Sequence, residues 1–115
     1  MLKVNNVVEK LGFEIKIKGD IEKEVTGCYI SDLLSDVMAK SKDGELWITL
    51  QTHPNIVAVA VVKGISAIII TNNRDPEPET AKKAETENIT ILKTERTTFE
   101  TAGMIYTLLK SENIL

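Results

Sequence analysis

The stretch from residue 45 to residue 76 constrains the fold most, because its pattern indicates a strand, a polar turn, a helix, a second strand and a second polar turn. Ser66–Ile70 is a short, continuous apolar run, typical of a central strand that is buried on both faces. Ile56–Val62 has seven apolar residues in succession, which periodicity alone assigns to neither helix nor strand. Pro54 suits the first turn of a helix and Gly64 suits its end, so we predict a helix here.

The residues before the central helix predict two further helices and three strands. The first helix ends at Gly12 and has apolar residues at helical spacing: Val4, Val7, Val8 and Leu11. Phe13–Lys18 alternates apolar and charged residues, which indicates a strand at a sheet edge. Val25–Ile30 and Leu46–Leu50 are predicted as the second and third strands. Between them, Ser31 or Asp32 is predicted to cap a helix with four buried residues: Leu33, Leu34, Val37 and Met38.

The last third of the chain predicts a helix, a strand and a final helix. Asp75-Pro76 is predicted to begin a helix that runs to about Asn88, with Glu77 and Glu79 in its first turn and Ala81 and Ala84 on its inner face. Ile89–Leu92 is the fifth predicted strand. Thr97 and Glu100 have the spacing of a capping box for a helix that ends near Leu109. We therefore predict a single domain over residues 1–115, with a three-layer α/β/α fold and a mostly parallel sheet of about five strands.

Composition excludes several classes of function. The content of 43% apolar but only 4% aromatic residues indicates an aliphatic core, and a net charge of −3 offers no basic face for nucleic acid. With one cysteine and one histidine, the chain cannot assemble a zinc or iron–sulfur ligand set, and we expect no cofactor. Cys28 is predicted to be a structural thiol. No segment has the length of a signal peptide or a membrane span, so we expect a cytoplasmic protein with no membrane contact.

The central apolar helix also bears on assembly. A helix that is apolar on all sides needs cover on both, from the sheet on one face and from another element or a second subunit on the other. We therefore expect a homodimer.

The two polar turns are the predicted site, because ligands of open α/β sheets bind beyond the carboxyl ends of the strands. Asparagine and arginine donors just before a helix suit a phosphate or carboxylate, although an ordinary turn explains the asparagines equally well. His53 fits a capping or ligand-contact role better than catalysis, because no partner nucleophile or carboxylate stands out. Lys93, Thr94 and Arg96 are candidates to close the same site. The predicted ligand-binding residues are Gln51, Thr52, His53, Asn55, Thr71, Asn72, Asn73, Arg74 and Thr97, and no catalytic or metal-binding residue is predicted.

Three motifs give the chain a resemblance to a known family. Glu24-Val25-Thr26-Gly27 precedes a turn with the sequence Thr52-His53-Pro54-Asn55, and Thr71-Asn72-Asn73 follows the next apolar strand. This arrangement resembles the DRTGG domain, which occurs within some phosphotransacetylases, beside CBS domains, and as a relative of the N-terminal domain of HPr kinase. The family has Asp-Arg-Pro-Asp and Thr-Gly-Gly at the second and third positions. Asparagine tolerates the positive φ of glycine well, so the backbone path can be kept.

The resemblance does not imply kinase activity, because the chain lacks the glycine-rich phosphate-binding loop G-x-x-x-x-G-K-[ST]. We expect a non-catalytic regulatory or sensory module, not an enzyme, that binds a small anionic metabolite or nucleotide at the strand ends. The alternative is a protein-interaction subunit of a larger enzyme or signalling system with no small ligand.

Overall fold

A computed structural model describes all residues from Met1 to Leu115. Five helices and five strands alternate along most of the chain. In order they are α1 (Val4–Leu11), β1 (Glu14–Ile17), β2 (Gly27–Ile30), α2 (Leu34–Lys40), β3 (Glu45–Thr49), α3 (Asn55–Lys63), β4 (Ala67–Ile70), α4 (Pro78–Glu87), β5 (Thr90–Lys93) and α5 (Thr98–Ser111).

The strands form one sheet in the order β1-β5-β4-β3-β2. The last four strands are parallel, and β1 pairs with β5 in the antiparallel direction, with Glu14 opposite Lys93. The predicted α/β fold with a mostly parallel five-stranded sheet is confirmed, and so is the edge position of β1.

Each face of the sheet carries its own core. Leu46, Ile69 and Leu92 point to the face covered by α1 and α5, where they meet Val7 and Ile105. The alternate strand residues point to the face covered by α2, α3 and α4. On that face Trp47 is fully buried, and its indole N–H donates to the Ser31 carbonyl at 2.9 Å. Strand alternation thus builds three layers from one aliphatic sequence pattern.

The glycine and proline signals place α1 and α3 correctly. Gly12 and Gly64 follow these helices with φ of 73° and 67°, the left-handed conformation predicted for both. Pro54 has helical backbone angles immediately before α3. The ambiguous run Ile56–Val62 is therefore helical.

The predicted start of α4 at Asp75-Pro76 was wrong. The helix begins at Pro78, and Glu77 precedes it with the extended angles φ −61° and ψ 153°. The proline ring disfavours a helical conformation for the residue before it, so Pro78 and not Pro76 decides where the helix begins. Only Glu79 of the two predicted glutamates lies in the first turn, and Ala84 with Thr80 forms the buried face.

The predicted details of α2 and β2 also need correction. Neither Ser31 nor Asp32 caps α2, because the Asp32 carboxylate instead accepts from the Thr49 hydroxyl and the Leu50 N–H. Leu33, exposed at 64%, and Met38, exposed at 39%, lie outside the core, since α2 is a short helix whose fully buried residue is Val37. The strand β2 begins two residues later than predicted.

None of the helices is both long and apolar enough to cross a membrane.

Candidate functional site

The parallel strands end at one edge of the sheet, and their following turns lie side by side there. The Thr71 N–H donates to the Thr49 carbonyl at 3.1 Å, which joins the turn after β4 to the end of β3. The Asn72 N–H donates to the Arg96 carbonyl and the Asn73 N–H to the Thr94 carbonyl, each at 2.9 Å. These backbone bonds hold three turns together at the strand ends.

Most predicted site residues of the turn after β3 have partners within the protein. The Gln51 side-chain amide donates to the Asp32 carbonyl at 3.1 Å. The Thr52 carbonyl accepts from the Thr80 hydroxyl at 2.6 Å. His53 is exposed, and its Nδ1 accepts the N–H of Asn55 at 3.1 Å, which requires an unprotonated Nδ1. His53 thus satisfies the first backbone N–H of α3 from outside the helix, while the cap position itself is Pro54 and has no side-chain cap. Asn55 is exposed in the first turn of α3.

Thr71 and the two asparagines after it form the turn that follows β4. Thr71 is fully buried, with its hydroxyl 2.8 Å from that of Thr98 and 2.9 Å from the Asn72 side-chain nitrogen that donates to it. Asn72 and Asn73 have φ of 62° and 58°, which is the left-handed region. The prediction that asparagine keeps a glycine-like backbone path agrees with these angles.

Beyond Asn72, the turn presents side chains that the protein does not engage. The side-chain amide of Asn73 makes no hydrogen bond within the protein, and the exposed Arg74 side chain has neither an ion-pair partner nor a hydrogen bond. Arg96 is half-buried, and its guanidinium donates to the Thr94 hydroxyl at 3.3 Å. No carboxylate lies within 4.0 Å of the guanidinium, although the pKa of Glu100 is lowered by hydrogen bonds from Thr97 and, to a smaller extent, by the charge of Arg96.

Thr97 opens α5 as the sequence predicts. Its hydroxyl accepts the Glu100 N–H at 3.2 Å, and the Glu100 carboxylate accepts the Thr97 N–H at 3.0 Å. The hydrogen bonds from Thr97 hold the pKa of Glu100 below its ordinary value. Thr97 therefore has a complete structural role as a cap.

A polar depression of about 350 Å³ lies where these turns meet the start of β1. We call it the strand-end depression, and none of the residues that line it is hydrophobic: Gly12, Glu14, Asn73, Lys93, Thr94, Glu95 and Arg96. Antiparallel pairing brings Glu14 opposite Lys93, and so carries the turn between α1 and β1 to the carboxyl end of the sheet.

Lys93 also lines the strand-end depression and is already paired. Its Nζ lies 2.8 Å from Asp75 Oδ1, and Lys16 Nζ lies 3.3 Å from the same oxygen. The hydrogen bonds from Lys93 and then Lys16 hold the pKa of Asp75 below its ordinary value. Arg96 is thus the cation of the depression that has no carboxylate partner.

The structure brings together only part of the predicted site. Asn73 lines the strand-end depression with Lys93, Thr94 and Arg96, the residues named as candidates to close it. The turn after β3 does not line it, because the turn after β4 lies between them. Sequence reasoning missed Gly12 and Glu14, since the position of β1 beside β5 has no local sequence signal. It also missed Glu95, although this residue lies between the candidates Thr94 and Arg96.

A second, apolar concavity lies between α5 and β2. This α5 groove has a volume of about 130 Å³ and is lined by Cys28, Ile30, Ala102, Ile105, Tyr106, Leu109 and Leu115. Tyr106 is 58% exposed, and Phe99 on the same helix is 88% exposed. Burial raises the pKa of the Cys28 thiol to about 12, with a smaller effect of Glu45.

The comparison with protein families agrees with the motifs and the fold. The model of the DRTGG domain matches residues 6–108. The chain belongs to the DRTGG domain family. The predicted resemblance is confirmed. No curated protein matches the sequence.

Among solved structures, the chain is similar to the CBS and DRTGG domains of the regulatory region of Clostridium perfringens pyrophosphatase, complexed with its activator, diadenosine tetraphosphate. The TM-score is 0.66 at 17% identity, over 90% of this chain and 45% of that one. This DRTGG chain therefore spans less than half the length of the other, and the likeness shows a shared fold. In that protein the DRTGG domain is part of a regulatory region.

Proposed function

We propose that this DRTGG domain is a non-catalytic regulatory module that binds a small anionic ligand at the carboxyl ends of its strands. The observation that carries the proposal is the half-buried Arg96, which lines the strand-end depression and forms no ion pair within 4.0 Å. Guanidinium groups bind phosphate and carboxylate through paired, charge-assisted hydrogen bonds. The regulatory role and nucleotide activator of the pyrophosphatase neighbour support a ligand-responsive function.

A thermal-shift screen against nucleotides, sugar phosphates, acyl phosphates and dicarboxylates tests this proposal. A ligand that binds only the folded protein adds about 2.7 kcal/mol of stability at 100 times its dissociation constant. We expect one anionic class to raise the melting temperature, and Arg96→Gln to abolish the shift.

The second arginine of the chain provides a matched comparison. Arg74 is exposed on the neighbouring turn but does not line the strand-end depression. Arg74→Gln should keep the ligand response if the depression is the site, and should lose it if the ligand bridges the turns after β3 and β4. The absence of any shift at millimolar ligand would contradict the proposed function.

The α5 groove favours a second candidate, a docking subunit for a larger enzyme or a signalling protein. All of its lining residues are apolar, and aromatic side chains such as the half-exposed Tyr106 often dominate binding energy at protein interfaces. Affinity purification with wild type and Tyr106→Ser compares the partners that each retains. A partner lost only from the variant would support this candidate, and identical partner sets would contradict it.

We also propose that the domain forms a homodimer through α3. The outer side of α3 carries Ala58, Val61 and Val62, and the two valines are 44% and 69% exposed. A second copy would remove this apolar stripe from water. In the proposed dimer, the second subunit would cover the face of α3 that does not pack on the sheet.

A further inference from the structure

The strand-end depression differs in its chemistry from a typical nucleotide pocket. Small-molecule sites are lined mostly by hydrophobic and aromatic side chains, and nucleobases bind by stacking on such surfaces. No hydrophobic residue lines this depression. A ligand bound here has no aromatic or apolar side chain on which to stack a base.

Two kinds of polar side chain in the strand-end depression still have hydrogen-bonding capacity for a ligand. The Arg96 guanidinium and the Asn73 amide offer hydrogen-bond donors for an anion. The Glu95 carboxylate is exposed, accepts no hydrogen bond within the protein and forms no ion pair. Carboxylates bind the hydroxyl groups of sugars, as an acidic residue does with the ribose of dinucleotides.

Acidic side chains also oppose a ligand that is only an anion. Glu14 and Glu95 both line the depression, and a bare phosphate there meets their negative charge. A ligand that carries one phosphate and several hydroxyls can bind both the donors of Arg96 and Asn73 and the carboxylate of Glu95. The volume of about 350 Å³ lies at the small end of the range for ligand pockets, about 300–1,000 Å³, and so favours a compact molecule.

We infer that the strand-end depression binds a phosphorylated sugar or polyol, with the phosphate on Arg96 and Asn73 and the hydroxyls on Glu95. This inference rests on the proposed function and narrows its ligand class. The expected ligand is therefore a sugar phosphate and not a nucleotide, because the depression supplies no apolar contact for a base.

Isothermal titration calorimetry with ribose 5-phosphate, AMP, glucose 6-phosphate, inorganic phosphate and glucose tests the inference. Ribose 5-phosphate and AMP form a matched pair, since AMP carries the base in place of the anomeric hydroxyl. We expect a sugar phosphate to bind at least tenfold more tightly than inorganic phosphate, AMP to bind no more tightly than ribose 5-phosphate, and glucose not to bind.

Two substitutions test the contacts to the phosphate and the contacts to the hydroxyl groups separately. Arg96→Gln should weaken the binding of sugar phosphate and of inorganic phosphate at least tenfold. Glu95→Gln should weaken the sugar phosphate but leave inorganic phosphate bound equally well or more tightly, because it removes a negative charge from the depression. Glu87→Gln, a change at an exposed carboxylate on α4, should leave both affinities unchanged.

The outcomes distinguish the inference from the proposed function on which it rests. If AMP binds tenfold more tightly than ribose 5-phosphate and Arg96→Gln abolishes this binding, the sugar phosphate assignment is overturned. The proposed function as an anion-binding module would then still stand. Equal weakening of both ligands by Glu95→Gln would overturn the role of Glu95 as a hydroxyl acceptor. Binding of none of these compounds, nor of any other anion in the wider screen, would overturn both.

Discussion

Two consecutive asparagines adopt left-handed backbone conformations in the turn after β4. Left-handed geometry costs most residues about 1–2 kcal/mol, while glycine adopts it freely and asparagine tolerates it. The resemblance to the DRTGG family implies glycine at both positions, where this chain has asparagine. The replacement keeps the backbone path and adds two amide groups, one of which lines the strand-end depression.

We predict that Asn73→Ala destabilises the domain by about 1 kcal/mol and that Asn73→Gly does not, because only the alanine side chain strains the left-handed backbone. Urea denaturation of the two variants measures the difference. Asn55→Ala, in the right-handed first turn of α3, is the control and should change stability little. Equal stability of Asn73→Ala and Asn73→Gly would contradict the prediction.

Cys28 should be an unreactive thiol. Burial raises its pKa to about 12, and the thiolate is the form that reacts. At pH 8 we expect modification by a disulfide reagent to be at least about 100-fold slower in the folded protein than in urea. Rapid labelling of the folded protein would contradict the prediction.

Asp75 should stabilise the fold at neutral pH and lose this effect in acid. Its pKa is lowered by hydrogen bonds from Lys93 and Lys16, so its ionised form is favoured by folding. The contribution is fully present above the ordinary pKa of about 3.9 and is lost as the pH falls through the lowered value.

We expect Asp75→Asn to be less stable than wild type at pH 7 and the difference to disappear at the lowest pH. Urea denaturation from pH 7 to pH 2 measures it, with Glu87→Gln as the exposed carboxylate control. A stability difference that persists unchanged in acid would contradict an ionic origin.

At the scale of the element, helix ends account for both the successes and the errors of sequence analysis. The capping box at Thr97 and the glycines after α1 and α3 are local signals, and each places a helix end correctly. For α4, two prolines compete, and the restriction that Pro78 places on Glu77 decides the start. For α2, the expected cap Asp32 instead binds β3, which is a tertiary contact that no local pattern encodes.

The capping box should contribute measurably to stability. We predict that Thr97→Ala costs about 1 kcal/mol, since it removes the side chain that accepts the Glu100 N–H. Chemical denaturation measures this cost. Thr107→Ala on the same helix is the control, because its exposed hydroxyl only donates back to the Gly103 carbonyl, and this change should stay within about 0.5 kcal/mol. Equal losses for the two variants would argue against the cap.

At the scale of the whole molecule, the remaining apolar surface predicts assembly. Analytical ultracentrifugation of the wild type should give a dimer, and Val62→Lys should give a monomer because it places a charge in the α3 stripe. Lys83→Glu on the exposed side of α4 is the control and should stay dimeric. A wild type that stays monomeric at about 100 µM would contradict the proposed dimer, because this concentration exceeds the dissociation constant of ordinary stable complexes.

The sequence by itself determined the fold class, the order of helices and strands along the chain, the DRTGG family and the two turns at the strand ends. These follow from local patterns: apolar runs, strand alternation, glycine and proline signals and the motifs at the turns. Only the tertiary structure decided which polar groups meet. The strand-end depression exists because β1 pairs antiparallel with β5, which places Gly12 and Glu14 beside Lys93, Asn73 and Arg96. Strand pairing between distant segments is set by global packing, so a pattern within either segment does not encode it.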